Sequence, residues 1–183
     1  MKVLDVGCGT GIFSIKLAKL GCRVVGIDIS DKMLEKAKEK AMVENLDIEF
    51  LKMDACKLDF ADETFDAAIS VAVLEFVLDY SKFLDETFRV VKKNGRIVVG
   101  TINKDSKWGK LYKSEAFSNT VFKHASFKNP EMLGRIHSDE LMEIRECLFI
   151  PPDLDENSYN MENELKYSKQ ENGGFICALW IKG

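Results

Sequence analysis

Three glycines and three aspartates in the first third of the chain have the types and spacing that point to chemistry. The stretch VLDVGCGTG (3–11) places Gly7, Gly9 and Gly11 directly behind a short apolar run. Glycines there let the backbone turn tightly and approach a ligand with no Cβ in the way. The amides that open the following helix then point at whatever is bound. Asp5 stands two residues before the first glycine, ill placed for a pyrophosphate and well placed for a cationic group. Asp28 ends the next apolar run, where a carboxylate takes both hydroxyls of an adenosine ribose. Asp54, with Ala55 behind it, follows the third run. The three acids thus form a line: one for a cation, one for a ribose, one for a base amino group.

The glycine spacing is G-x-G-x-G, and Ile12 occupies the position where a dinucleotide fingerprint carries its last glycine. That departure weighs against the first rival reading, a nicotinamide-dependent oxidoreductase. Cys8 sits within the loop, either as a thiol activated near a helix N-terminus or as a small filler.

The elements that must position these residues alternate. KVLDV (2–6), RVVGID (23–28), DIEFLKMD (47–54), FDAAISVAV (65–73) and RIVVGTI (96–102) read as buried strands. Helices are expected over 11–21, with Phe13, Leu17 and Leu20 sharing a face, and over 31–44 behind an N-cap at Ser30. Leu34, Ala37 and Ala41 form the apolar face of the second. A third helix is expected over 80–95, closed by Asn94-Gly95. Strands alternating with helices predict an α/β fold with a doubly wound, mostly parallel sheet.

The end of the chain breaks the alternation. EIRECLFI (143–150) and GFICALWIKG (174–183) read as two strands with no helical crossover between them, hence an antiparallel pair at one edge. A long acidic loop joins them, starting at Pro151-Pro152. The stretch 103–142 reads as an irregular, partly helical insert, and the whole of 1–183 as one domain.

Composition sets the limits. With 183 residues, 46% of them hydrophobic, the chain can bury a core without a disulfide or metal staple. A net charge of -4 argues against a dedicated nucleic-acid binder. Five cysteines without a C-x-x-C pair, and two histidines, make no metal cluster and suggest reduced thiols in the cytoplasm. No apolar run is long enough to span a membrane.

VLDVGCGTG, GIDIS, FLKMDA, DETFDAAISVAVLEFV and FLDETFRVVKKNGRIVV resemble, in order and spacing, the successive motifs of class I S-adenosylmethionine-dependent methyltransferases. The nearest likeness is to the small-molecule branch that includes ubiquinone and menaquinone biosynthesis enzymes. It covers about residues 2–102, the expected cofactor-binding half. The resemblance implies a Rossmann-like, seven-stranded sheet with an antiparallel last strand. It also implies methyl transfer to a small-molecule acceptor by in-line displacement, releasing S-adenosylhomocysteine. Carried onto this chain, it sets Asp5, Gly7, Cys8, Gly9 and Gly11 around the methionine part and Asp28 on the ribose. Ile29 would lie against the adenine, with Asp54 at its amino group beside Ala55. Ser70 and Val71 would line the sulfonium side.

The cofactor carries the activation, so no catalytic residue is forced. Glu75, His124 and Tyr112 are the candidates for a base, each set against a structural role. The insert carries six lysines between Asn103 and Lys128, interleaved with Trp108, Tyr112, Phe117, Phe122 and Phe127. They read either as an acceptor pocket for an anionic or aromatic compound or as an amphipathic segment packing its rings on the sheet. Relatives usually carry covering helices before the first strand, whereas Met1 stands almost at the strand here. The expected cover is a missing leading segment, a partner subunit or second copy, or the 103–142 insert. A non-catalytic cofactor-binding module is the second rival reading.

Overall fold

β1 (Lys2–Val6) is an inner strand of a seven-stranded sheet in the computed structural model, which describes residues 1–183. β2 (Arg23–Asp28) and β3 (Glu49–Lys52) extend it on one side; β4 (Phe65–Val71) and β5 (Val91–Ile102) extend it on the other. All four of these pairings are parallel. β6 (Leu141–Cys147) and β7 (Phe175–Ile181) complete the order β3-β2-β1-β4-β5-β7-β6, both in antiparallel pairings. This is the expected doubly wound α/β sheet with its antiparallel edge pair.

The register puts Leu4, Val25 and Ala68 on one face, because paired parallel residues point the same way. That face packs on α3 (Tyr80–Val90) through Phe83, Leu84 and Phe88, with Ile97, Val99 and Trp180 in the same core. The opposite face meets α2 (Asp31–Val43), where Leu34, Ala37 and Ala41 pack on Cys8 and Phe50. Ser30 caps α2 as expected, its hydroxyl accepting the Met33 N–H at 3.4 Å.

Three elements depart from expectation. α1 spans only Ile12–Lys19, and its buried residue is Ser14, while Phe13 is 38% and Leu20 80% exposed. The Ser14 hydroxyl donates to Asp5 Oδ2 at 2.5 Å, and that bond turns the Ser14 side toward the sheet in place of the predicted apolar face.

α3 stops at Val90 rather than at Gly95, because Val91 is extended and pairs with Phe65 across a register shift in β4. Asn94 turns with φ 60, and its N–H donates to the Lys182 carbonyl at 2.8 Å, tying the turn to the end of β7. The third departure is the 151–173 connection, which contains α6 (Met161–Tyr167).

The stretch 103–142 holds α4 (Lys107–Tyr112), two 3-10 turns and α5 (Pro130–Gly134). Ala125 and Phe127 pack there on Ile102, with Tyr112, Phe122 and Phe175 against them. No helix is long and apolar enough to cross a membrane.

Candidate functional site

The turn after β1 is held from both sides. Cys8 N–H donates to the Ile27 carbonyl at 2.8 Å, and Gly11 N–H to the Cys8 carbonyl at 2.9 Å. Gly7 has φ +71, and a Cβ there would meet Val73 Cγ2 at 2.3 Å, so no other residue fits without moving the segment above it. Gly9 N–H donates to Asp28 Oδ2 at 3.0 Å, and Ser30 N–H donates to Asp28 Oδ1 at 2.9 Å. Asp28 therefore joins the glycine turn to the start of α2. Each of its oxygens keeps a lone pair for a ligand.

Above this turn lies a cleft of about 510 Å³, at the C-terminal ends of the strands, as expected for an open α/β sheet. Gly7, Asp28, Ile29, Asp54 and Ala55 line it, five of the residues named from the sequence. Asp54 Oδ1 accepts the Cys56 N–H at 2.8 Å, which fixes the carboxylate at the mouth of the β3 loop.

The other named residues support this wall from behind. Asp5 is 2% exposed beneath the glycine turn, bonded to Ser14. Burial pushes its carboxyl up to about 6. Cys8 is buried against α2, and burial raises its thiol well above the usual range. Gly9 reaches the cleft only through Asp28, and Gly11, with φ 77, serves as the N-cap of α1. Ser70 is buried, Val71 is half-buried, and neither lines the cleft.

None of the three candidates for a base lines it either. Glu75 is 1% exposed, and its Oε1 accepts the Ile102 N–H at 2.7 Å while its own carbonyl accepts the Ser126 N–H at 2.7 Å. It is a tie between β5 and the insert, and burial holds its carboxyl above the ordinary glutamate value. His124 is exposed on a 3-10 turn. Tyr112 stacks on Phe122, ring centroids 4.5 Å apart, inside the aromatic cluster of the insert.

Sequence reasoning missed the second wall. Met53, Cys56, Val73, Phe76, Val77, Leu78, Asp79 and Lys82 complete the lining. Ala72, with φ 57, turns the chain left-handed at the end of β4, just before the segment 73–79 that closes the cleft. Apolar residues after a strand read as core from the sequence, yet Phe76 and Leu78 stay 46% and 103% exposed. Three carboxylates, Asp28, Asp54 and Asp79, face one ammonium, Lys82, so the cleft favours a ligand carrying positive charge.

A sequence model of the methyltransferase domain matches residues 4–99. A ubiquinone biosynthesis O-methyltransferase of Bartonella tribocorum is 36% identical over 110 residues, covering 60% of this chain and 44% of that one. The same enzyme of Brucella anthropi is 37% identical over 107 residues, 58% of this chain and 43% of its own. The aligned part thus spans less than half the length of these curated relatives. Among solved structures, an S-adenosylmethionine-dependent methyltransferase of Thermotoga maritima superposes with a TM-score of 0.76 at 26% identity. It covers 100% of this chain and 82% of that one. A second, from Methanosarcina mazei, shares the fold with a TM-score of 0.71 at 24% identity.

Proposed function

The chain belongs to the methyltransferase-domain family, and on that premise we propose that it transfers the methyl group of S-adenosylmethionine to a small-molecule acceptor. The observation that carries this reading is the Asp28 carboxylate, held by Gly9 N–H and Ser30 N–H at the edge of the cleft with lone pairs to spare. The lining fits the cofactor. Asp28 would accept hydrogen bonds from the two ribose hydroxyls, and the oxygen of Asp54 not bonded to Cys56 would accept one from the adenine amino group. Ile29, Met53 and Val77 give the base apolar walls, and the bare Gly7 backbone leaves room beside it. The excess of carboxylates complements the sulfonium and ammonium charges.

When bound, S-adenosylmethionine supplies a methyl group activated by its sulfonium and open to in-line displacement. The residues of the chain contribute alignment and exclusion of water, effects worth roughly 7–11 kcal/mol in well-oriented reactions. Phe76 and Leu78 are the further apolar groups of the lining that would keep water from the reacting centre. The lining contains no histidine, so the reading assigns no dedicated base. The names of the curated relatives support an oxygen acceptor on a small molecule. Five cysteines without a disulfide support a reducing, cytoplasmic setting.

The test is release of S-adenosylhomocysteine from S-adenosylmethionine across a panel of hydroxylated aromatic acceptors. Acceptor-dependent release supports the reading. A chain that binds neither S-adenosylmethionine nor S-adenosylhomocysteine contradicts it.

A further inference from the structure

Three lysines of the insert come together around one hollow, and none of them forms an ion pair. Lys104 follows β5, Lys113 caps the C-terminus of α4, and both line a cavity of about 310 Å³ with Ala125, Ser126 and Phe127. Lys128, 2% exposed, stands behind that wall. Its Nζ donates to the Ser126 carbonyl at 2.6 Å and to Ser126 Oγ at 2.9 Å, so a buried cation holds the serine that faces the cavity. The frame is rigid: Lys104 N–H donates to the Lys128 carbonyl at 2.8 Å, and Lys113 Nζ donates to the Ala125 carbonyl.

Lys104, Lys113 and Lys128 take part in none of the ion pairs of the chain. The neighbouring Asp105 spends Oδ2 on Asn129 Nδ2 at 2.8 Å. Burial lowers the Lys128 ammonium from its ordinary value, and the charge of Lys113 adds to that, against the pull of Glu75. Like charges gathered around one hollow cost free energy that a bound anion relieves.

One backbone hydrogen bond and one aromatic contact link the segment lining this cavity to the segment lining the cleft. Ser126 N–H donates to the carbonyl of Glu75, the residue before Phe76 of the cleft lining, and Phe76 lies 6.1 Å from Phe122 of the insert, centroid to centroid. We propose that Lys104, Lys113 and Ser126 Oγ bind an oxyanion, a carboxylate or phosphate, carried by the methyl acceptor. The proposal rests on the reading of the cleft given above. It names the charge of the acceptor and the place where that charge docks.

The experiment follows backbone amide shifts of the full chain during titration with inorganic phosphate and with benzoate. Both are expected to move the amides of Lys104, Lys113 and Ser126, and benzoate is expected to move those of Phe76 and Val77 as well. The double variant Lys104→Ala/Lys113→Ala is expected to weaken both by at least about tenfold, because hydrogen bonds to charged groups are lost. Its affinity for S-adenosylhomocysteine is expected to stay at the wild-type value, a readout that tests the cleft separately. Shifts elsewhere, or affinities unchanged in the double variant, overturn the oxyanion site. Binding of phosphate with exclusion of benzoate overturns its assignment to the acceptor.

Discussion

The backbone N–H of Gly9 donates to Asp28 Oδ2 at 3.0 Å across nineteen residues of chain. One carboxylate thereby shapes the glycine turn and presents its remaining lone pairs to the cleft. Asp28→Ala removes both roles at once. It is expected to weaken binding of S-adenosylhomocysteine by at least about tenfold in calorimetric titration, since hydrogen bonds to a charged group are lost. Wild-type affinity in the variant would remove Asp28 from the ribose site.

Asp5 imposes a pH dependence on stability. Its carboxyl rises from 3.8 to about 6 on folding, so between those values the folded chain holds more protons than the unfolded one. Stability therefore falls as pH rises through that window, by at most about 3 kcal/mol from this group. Glu75, also raised, acts in the same direction. Asp5→Asn keeps an oxygen for the Ser14 hydroxyl and is expected to flatten the slope in urea unfolding between pH 4 and 7, leaving a more stable chain at neutral pH. An unchanged slope would sever Asp5 from it.

Gly7 and Val73 should be coupled. A methyl at Gly7 meets Val73 Cγ2 at 2.3 Å and must also adopt φ +71. Gly7→Ala is expected to destabilise the fold by about 2 kcal/mol or more. Adding Val73→Ala relieves the collision and leaves the backbone strain, so the double variant should recover part of the loss. Strictly additive losses in a double-mutant cycle would show that the two sites do not touch.

Glu75 separates structure from chemistry. Glu75→Ala strands the buried Ile102 N–H and is expected to cost about 2 kcal/mol in thermal or urea unfolding. Glu75→Gln keeps an acceptor and should retain the fold, S-adenosylhomocysteine binding and methyl transfer. Loss of transfer alone in Glu75→Gln, with folding and binding intact, would return Glu75 to the chemistry.

Strands β1 and β2 were legible to the residue, because a strand buried on both faces reads as an apolar run, ended at Gly7 in the first and at Asp28 in the second. The end of α3 was not. RVVKKNG continues a helical pattern, yet Val91 gains a strand partner in Phe65, and a long-range pairing outweighs local propensity. The face of α1 was misread for a similar reason: a single bond from Ser14 to a buried carboxylate outweighed three apolar side chains.

At the site, Asp28 and Asp54 could be found from type and position, since the C-terminal ends of parallel strands face the crevice of an open α/β sheet. Val73 to Leu78 could not, because apolar residues after a strand look like core until the left-handed turn at Ala72 is seen. The lysines of the insert were visible as a charge run. Their convergence with Ser126 on one cavity depends on where α4 and the 125–128 segment meet the end of β5.

The most direct test of the cleft is calorimetric titration of the chain with S-adenosylhomocysteine beside NADH. Saturable binding of S-adenosylhomocysteine at one site per chain, with no heat from NADH, is the predicted result. Binding of NADH in its place, or of neither compound, would contradict the reading of the glycine turn and Asp28 as a methyl-donor site.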